Sequence, residues 1–438
     1  MRNALRRAGR VFMALCTLVV VLAGMVYVVG QVMGIPVRIT YQTVASAELP
    51  EDQQPAPALP TDSAAALPTG SSADFGSVAD SNAAATHAET AAPAVQNVVL
   101  FIGDGMGLSM LATVDALAGR RLAMSRMPVT GLVRTNSRSG PISDSGAGGT
   151  AFATGFKTTN ATIGMTPDGQ ARRTILEAAA RRDSFATGIV TTSYLTDATP
   201  AAFLAHVRDR DLYDPIARQM IASRADVLLG GGQPTVFTDS LRRAARRRRF
   251  AVGDSLEGFR GAGARGDSAA RWLGLFPERA GRFDKMHGPP LPEVTAAALQ
   301  KLRQRGERFF LLVEQEGTDA AGHINRLPNT RRDLRELDRA VAQVLRFAAR
   351  PATGRTLVLV AADHDTGGLA LTDTEGGRAT VRWNTFSHTA TWTPLLAYGP
   401  GAQRFTGVMP NTALPRRLAR LLGLEGFPQG ETQIREAR

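Results

Sequence analysis

Residues 142–150, with the sequence ISDSGAGGT, place a serine directly after an aspartate and surround both with small residues. Small side chains leave the hydroxyl of Ser145 uncovered and let backbone N–H groups approach a bound anion. Asp144 adds a carboxylate next to that hydroxyl. Because runs of glycine, serine and alanine are also common in ordinary loops, this segment indicates a nucleophile only in combination with other residues.

Side chains that could bind divalent cations recur along the chain. Aspartate and histidine, which are common ligands of divalent cations, occur at Asp104, Asp319, His323, Asp363, His364 and His388. Three of the six histidines of the chain are in this set. Two divalent cations about 4 Å apart activate a nucleophile, neutralise phosphoryl oxygens and stabilise a leaving oxygen. Together with Ser145, the set predicts a multi-metal hydrolytic site.

The serine segment and six further motifs resemble, in the same order, those of the alkaline phosphatase family. The six motifs are GDG (103–105), DATPA (197–201), VE (313–314), DAAGH (319–323), ADH (362–364) and SHT (387–389). The resemblance extends from about Asn97 to about Gly423. It implies hydrolysis of phosphate monoesters in alkaline conditions through a phosphoserine on Ser145, with two zinc ions and one magnesium ion as cofactors and inorganic phosphate as a further ligand.

The resemblance also assigns the zinc ligands. The first zinc would be held by Asp319, His323 and His388, and three protein ligands leave coordination positions open for substrate. The ligands of the second zinc would be Asp104, Asp363, His364 and Ser145. Asp365 is left out of the ligand set, because an aspartate at a strand end often caps a helix instead.

A third, magnesium site follows from the same resemblance. Its ligands would be Asp104, Thr199 and Glu314, and an all-oxygen set suits this hard cation. Glu316 remains an alternative to Glu314, although Glu314 has the family's five-residue spacing to Asp319. Ala320 replaces a larger polar residue often found in the family, which bears on how tightly magnesium and phosphate are held.

Arg210 is the residue that the resemblance assigns to substrate binding, because it follows Thr199 by the family's eleven residues. A planar guanidinium can bind two phosphoryl oxygens at once. The neighbouring Arg208 is the alternative. Asp197 lies where family members carry aspartate or histidine, and there it would act behind the metal ligands.

Other functions are less well supported. A phosphodiesterase or a sulfatase of the same superfamily is the alternative enzyme, and a catalytically inactive phosphate-binding protein is the alternative from another class. Ser145, the complete set of metal ligands and Arg210 favour the monoesterase. The net charge of +12 is not accompanied by any nucleic-acid-binding motif, so we expect no nucleic-acid partner. Oligomeric state is left open, including a homodimer.

The N-terminal part of the chain predicts export. Four arginines within residues 2–10 precede an uncharged stretch over 11–37, which is long enough to cross a bilayer. Residues 1–39 therefore predict a signal-anchor with a transmembrane segment, or else a cleaved signal peptide, and place the remainder on the periplasmic or cell-surface side. Residues 40–95 are rich in alanine, proline and serine and predict a disordered linker. The catalytic domain would occupy 96–438, with an irregular basic insert over 234–290. The arginine run over 242–249 in this insert predicts a solvated helix followed by a surface loop, or else a contact with anionic lipid head groups or acidic substrates.

Beyond the linker, short apolar runs alternate with helical patterns, which predicts a mostly parallel sheet between two helix layers, a three-layer α/β/α fold. The predicted strands are Val98–Ile102, Ala186–Thr191, Asp226–Leu229, Phe309–Val313, Thr356–Ala361 and Pro394–Tyr398. An amphipathic helix is predicted over Arg331–Phe347. Asp104, Glu314 and Asp363 follow apolar runs, at the carboxyl ends where open α/β sheets place their sites.

Overall fold

The computed structural model describes residues 43–48, 95–259, 271–277, 288–306, 308–375 and 378–428. The predicted membrane or signal segment over 1–39 lies outside the described residues, as does most of the predicted linker over 40–95. The linker prediction is wrong at Thr43–Glu48, which form a β-strand. Among the residues that the structure describes, no helix combines the length and apolar character needed to cross a membrane.

The described strands in chain order are β1 (Thr43–Glu48), β2 (Asn97–Gly103), β3 (Val129–Arg134), β4 (Phe185–Tyr194), β5 (Val227–Gly231), β6 (Phe250–Gly253), β7 (Arg271–Phe276), β8 (Arg308–Gln315), β9 (Thr356–Ala361), β10 (Asp365–Thr366), β11 (Ala370–Glu375), β12 (Arg378–Trp383), β13 (His388–Thr389), β14 (Thr393–Tyr398) and β15 (Gly407–Pro410). Ten of these described strands form the central sheet, in the order β15-β3-β14-β9-β2-β8-β4-β5-β7-β6. Only β14 runs antiparallel to its neighbours in this sheet, so the predicted mostly parallel sheet is confirmed. All six predicted strands belong to it.

The described helices are α1 (Leu108–Ala116), α2 (Ser145–Thr154), α3 (Ile175–Ala180), α4 (Ala198–Ala202), α5 (Tyr213–Ala222), α6 (Asp239–Arg247), α7 (Leu291–Arg305), α8 (Gly317–His323), α9 (Leu327–Ala348) and α10 (Ala413–Leu422). Short 3₁₀ turns occur at Met124–Arg126, Pro351–Thr353 and Ala402–Phe405.

Helices cover both faces of the sheet, which explains why its central strands are continuous apolar runs. Successive side chains of a strand point to opposite faces. In β2, Leu100 and Ile102 accordingly join one buried apolar cluster with residues of α5 and α10, whereas Val99 and Phe101 join a second with residues of α7 and α9. The predicted three-layer arrangement is therefore present.

Helix α9 confirms the predicted amphipathic helix and begins four residues before the predicted start at Arg331. Pro328 lies in its first turn, where the missing N–H costs nothing. Leu334, Leu337, Val341 and Val344 are buried against the sheet. Leu345, assigned by its spacing to the same stripe, is only partly buried.

The basic segment over 234–290 contains the helix that its arginine run predicts and, unlike the prediction, two strands. The arginine-rich stretch forms α6, which buries Leu241, Ala244 and Ala245 and turns most of its arginines to solvent. Strands β6 and β7 then extend the edge of the central sheet in parallel register. Flanking arginines and glycines hid the short apolar alternation of β7, in which Trp272 and Leu273 face opposite clusters.

The carboxyl ends of β2, β8 and β9 meet at one edge of the sheet. The Asp104 N–H donates to the carbonyl of Gln315 at 3.1 Å, and the Gly105 N–H donates to a carboxylate oxygen of Asp363 at 3.2 Å. Parallel pairing thus brings together three segments that are far apart in sequence, each of which carries predicted site residues.

Candidate metal and nucleophile site

Ser145 is the first residue of α2, and Asp144 is its N-cap. One Asp144 carboxylate oxygen accepts the Ala147 N–H and the other accepts the Ala161 N–H, both at 2.9 Å. The carboxylate therefore fixes the start of the helix, and the backbone N–H groups there are suited to an anion. The Ser145 hydroxyl lies 3.2 Å from His364 Nε2.

The glycines after Ser145 permit close packing of α2. A Cβ added at Gly148 would lie 2.9 Å from both the Cβ and the carbonyl oxygen of Asp363. A Cβ at Gly149 would lie 3.1 Å from the Cβ of Ala202 in α4. The small residues that made this segment resemble a loop are thus required to bring the serine to the sheet edge.

His364 is the centre of one cluster. Its Nε2 lies 3.4 Å from a carboxylate oxygen of Asp104 and 3.4 Å from one of Asp363, in addition to the Ser145 contact. All three ligand side chains are buried. The structure therefore brings together the four residues predicted for the second zinc.

The second cluster is formed by two connected elements. Asp319 and His323 lie four residues apart on α8, so they share a face of the helix, and their carboxylate oxygen and Nε2 are 3.2 Å apart. Strand β13 pairs with β10 and thereby places His388 opposite Thr366. His388 Nε2 lies 3.6 Å from Asp319 Oδ1. The three residues predicted for the first zinc are thus brought together.

The two imidazoles of this cluster have an arrangement that requires a positive charge between them. His323 Nδ1 lies 2.7 Å from the carbonyl of Phe386, and His388 Nδ1 lies 2.8 Å from the carbonyl of Ser143. A carbonyl only accepts, so each Nδ1 carries a proton. The two Nε2 atoms nevertheless approach each other to 3.2 Å. Two lone pairs so close are stable only with a proton or a metal cation between them.

Buried carboxylates give an independent test of whether metals fit. Among the described residues, Asp104 Oδ1, Asp363 Oδ2 and Glu314 Oε1 are buried without a hydrogen-bond partner. Burial and then repulsion by Asp363 raise the pKa of Asp104 well above its ordinary value. Burial raises the pKa of Asp363 to about 7 and that of Glu314 to about 8. Because unpaired buried carboxylates are costly, divalent cations fit this donor set.

The predicted magnesium ligands also converge. One carboxylate oxygen each from Asp104, Glu314 and Glu316 lie within 4.8 Å of one another. Thr199, in the first turn of α4, donates its hydroxyl to Asp104 Oδ2 at 3.3 Å. Glu314 Oε2 accepts a 2.5 Å hydrogen bond from the Thr191 hydroxyl. Both of the glutamates that the sequence presents as alternatives, Glu314 and Glu316, thus lie at this group of carboxylates.

Two carboxylates hold the side chain of Arg210 next to the segment that carries Ser145. Its Nη1 lies 3.4 Å from Asp144 and its Nη2 lies 3.0 Å from Asp197. Its side chain remains 28% exposed, so the fork can reach a ligand. The alternative, Arg208, is exposed, and its guanidinium packs over Gly169, where an added Cβ would lie 2.3 Å from it. The contacts with Asp144 thus favour Arg210.

Sequence reasoning missed Thr366. Its hydroxyl donates to Asp319 Oδ1 at 2.5 Å and lies 3.2 Å from His364 Nδ1. It therefore orients one ligand in each cluster, a role typical of residues behind a metal site. Asp365 accepts the Thr389 hydroxyl at 2.6 Å and so supports the strand that carries His388. Asp365, considered above as a helix cap, lies in strand β10 instead. The available signal for Thr366 was its position shortly after Asp363-His364.

Comparisons with known proteins agree with this geometry. The model of the family described as alkaline phosphatase matches residues 95–260 and 263–377. Alkaline phosphatase H of Pseudomonas aeruginosa is 30% identical over 75% of this chain and 85% of its own length. Streptomycin-6-phosphate phosphatase of Streptomyces griseus is 33% identical over 78% of this chain and 94% of its own length.

Solved structures show the same likeness. The alkaline phosphatase of the Antarctic bacterium TAB5 superposes with a TM-score of 0.68, at 28% identity over 76% of this chain and 100% of its own. A variant of that enzyme with Mg bound in its M3 site superposes with a TM-score of 0.67, at 28% identity over 76% of this chain and 99% of its own. The family and this Mg-bound structure imply that metal ions are cofactors here too.

We expect exhaustive chelation to abolish activity and lower the melting temperature, because carboxylates assembled by folding repel each other without cations. A site filled at about 100 times its Kd contributes about 2.7 kcal/mol to stability, which removal of the cation would forfeit. Activity assays and thermal melts of metal-free protein, checked by elemental analysis, measure both effects. Adding zinc and magnesium back should restore both, whereas full activity in verified metal-free protein would contradict the metal assignment.

Proposed function

We propose the following mechanism from the premise that this chain belongs to the alkaline phosphatase family and hydrolyses phosphate monoesters. The nucleophile is Ser145. The observation that carries this proposal is the position of its hydroxyl, 3.2 Å from His364 Nε2 at the start of α2. It lies beside a histidine that also contacts Asp104 and Asp363, so a cation held by these groups would be adjacent to the attacking oxygen.

Two zinc ions and one magnesium ion would be held by the residues predicted for them. When bound, such cations lower the pKa of a serine hydroxyl, neutralise phosphoryl oxygens and stabilise the leaving oxygen. The first zinc ligands are Asp319, His323 and His388, and the second zinc ligands are Asp104, Asp363, His364 and Ser145. Asp104, Thr199 and Glu314 hold magnesium. Supporting this division, the first two sets combine nitrogen with oxygen, and the third offers oxygen alone.

The protein side chains have distinct tasks in the reaction. Ser145 gives up its hydroxyl proton to solvent as Oγ forms a bond to phosphorus in line with the ester bond, which breaks, and the departing alkoxide takes up a proton from water. A second water then attacks the phosphoserine, the bond between Oγ and phosphorus breaks, and Oγ takes back a proton as inorganic phosphate leaves. Arg210 binds two phosphoryl oxygens with its fork. Asp144 and Asp197 orient that fork, as their contacts of 3.4 and 3.0 Å support.

Monoesters are favoured over diesters by the same arginine. A monoester offers three unesterified oxygens that share two negative charges, whereas a diester offers two that share one, so the guanidinium attracts the monoester more strongly. The position of Arg210 beside Asp144, the neighbour of the nucleophile, supports this preference over the phosphodiesterase alternative.

The enzyme is exported and acts on the extracytoplasmic side, held to the membrane by the uncharged stretch over 11–37. Four arginines before that stretch and a single one, Arg38, directly after it support this orientation. The Ala/Pro/Ser-rich sequence over 40–95, in which residues 43–48 form β1, would connect that stretch to the catalytic domain.

Replacing Ser145 with alanine should reduce monoester hydrolysis by at least about three orders of magnitude, because the attacking oxygen is lost. Most metal ligands remain, so zinc and magnesium contents should stay near those of the wild type. Ser143→Ala is the matched control, since its hydroxyl contacts only the Asp144 carbonyl in the described hydrogen bonds. Undiminished turnover by Ser145→Ala would refute the assignment of the nucleophile.

Arg210→Ala should weaken inhibition by inorganic phosphate and lower kcat/KM for monoesters by about 10- to 150-fold, as expected for loss of a charge-assisted pair worth ~1.5–3 kcal/mol. The rate on diesters should fall less. Arg208→Ala serves as the control, because that side chain is exposed over Gly169. Equal losses on both substrate classes would show that Arg210 does not select monoesters, and an effect confined to Arg208→Ala would show that the wrong arginine was assigned.

Cell fractionation should recover the full-length chain with membranes, because the stretch over 11–37 remains attached in the signal-anchor interpretation. Protease added from outside should release an active domain by cleavage within 40–95 outside β1, where the sequence predicts little burial. The N-terminus of the released domain can be determined by mass spectrometry. A soluble protein beginning near Glu48 in untreated cells would instead establish a cleaved signal peptide.

A further inference from the structure

Glu316 has a side chain at the metal site that the ligand set assigned above does not use. It directly follows β8 and is the N-cap residue of α8. Its backbone is fixed on both sides, since its N–H donates to Thr192 Oγ1 at 3.0 Å and its carbonyl accepts the Asp319 N–H at 3.0 Å. The side chain is half-buried, so the chain holds this carboxylate at the site instead of leaving it on the surface.

The side chain of Glu316 points to the same place as two buried carboxylates. One of its oxygens lies within 4.8 Å of an oxygen of Asp104 and of one of Glu314, and those two are themselves within that distance of each other. Oxygens at such spacing around a point are compatible with a shared hard cation, whose protein ligands are carboxylates, hydroxyls and carbonyls.

Acidic residues also cluster without binding a cation, so a second observation is needed. Asp104 and Glu314 are at most 1% exposed. In the described part of the chain, Glu314 Oε1 is buried without any hydrogen-bond partner, whereas Asp104 Oδ1, which also accepts no hydrogen bond, lies 3.4 Å from His364 Nε2. An unpaired buried oxygen of Glu314 beside two further carboxylates leaves repulsion unrelieved unless a cation binds among them.

We propose that Glu316 is a direct ligand of the third cation, together with Asp104, Thr199 and Glu314. This inference rests on the third site of the proposed function and deepens it. Glu314 and Glu316, which the sequence presents as alternatives, then act together. Three carboxylates around one divalent cation replace a position that water would otherwise occupy, and they bind the cation more tightly than two carboxylates would.

A competing role for Glu316 is to hold the substrate arginine. Burial lowers the pKa of Arg210, but Asp197, Asp144, Asp104 and Glu316 together raise it further than burial lowers it. Of these four carboxylates, Glu316 raises the pKa of Arg210 least, and the two that raise it most, Asp197 and Asp144, are in direct contact with the guanidinium. The two roles differ in what the loss of the carboxylate changes, which is cation affinity in one case and phosphate affinity in the other.

The test is calorimetric titration of Mg²⁺ into zinc-loaded protein, with bound magnesium confirmed by elemental analysis. Glu316→Gln keeps the shape of the side chain and removes its charge. It should raise the Kd for Mg²⁺ by about 10-fold or more, while zinc content stays unchanged. Glu314→Gln should raise the Kd at least as much. The exposed Glu293→Gln is the matched control and should leave the Kd unchanged.

Glu316→Asp gives a second measure if the glutamine variant folds poorly. It keeps the charge but shortens the reach, and an Mg²⁺ affinity between those of the wild type and Glu316→Gln supports direct ligation. An unchanged Mg²⁺ Kd in folded Glu316→Gln would overturn the proposal, and it would assign Glu316 to Arg210 if phosphate inhibition weakened at the same time.

The titration measures cation binding and not turnover, so its result is independent of the nucleophile. Wild-type protein that binds no third cation would overturn both this inference and the proposed third site. If the wild-type protein and the Glu316 variants bind Mg²⁺ as expected but Ser145→Ala does not lower turnover, the Glu316 assignment stands and only the proposed nucleophile is refuted.

Discussion

The rest of the site depends on one electrostatic constraint, which is the assembly of buried carboxylates at a single edge of the sheet. Asp104, Glu314 and Asp363 are fully or almost fully buried, and the nearby histidines and Arg210 do not pair with all of their oxygens. Such an arrangement is stable only when protons or cations compensate the charge. The fold must therefore be firm enough to hold these groups together, and the apolar core on both faces of the sheet supplies that firmness.

The constraint also explains the packing around the nucleophile. Carboxylates at the ends of β2 and β9 can serve Ser145 only if its helix lies almost against them. The absence of side chains at Gly148 and Gly149 makes this contact sterically allowed. The Asp144 carboxylate has two roles, because it caps α2 and also contacts Arg210. Thr366 adds a similar connection between the two metal clusters.

Much of this arrangement could be predicted from the sequence, for physical reasons that also show where prediction fails. Strands covered on both faces, such as β2 and β9, are continuous apolar runs, and residues following them mark the edge of the sheet where a site forms. Strand β7, which lies next to the edge strand β6, was missed because arginine and glycine interrupt its short alternation. Spacing favoured Glu314 over Glu316 but did not reveal that both lie at the same group, since the direction of a side chain beyond a strand end depends on backbone angles that only the structure gives. Thr366 was missed because a threonine has no distinctive pattern until its hydroxyl has a neighbour.

The two carboxylates that contact Arg210 have a consequence for the release of inorganic phosphate at the end of the proposed reaction. A guanidinium with no partners would bind inorganic phosphate strongly and keep it. Here Nη1 and Nη2 have carboxylate neighbours at 3.4 and 3.0 Å, and these negative charges reduce the attraction that the guanidinium would exert on a bound phosphate. Such charge compensation would weaken retention of product while leaving the fork oriented for the next ester. Where release of product limits the overall rate of an enzyme, the two aspartates beside Arg210 would favour release of inorganic phosphate.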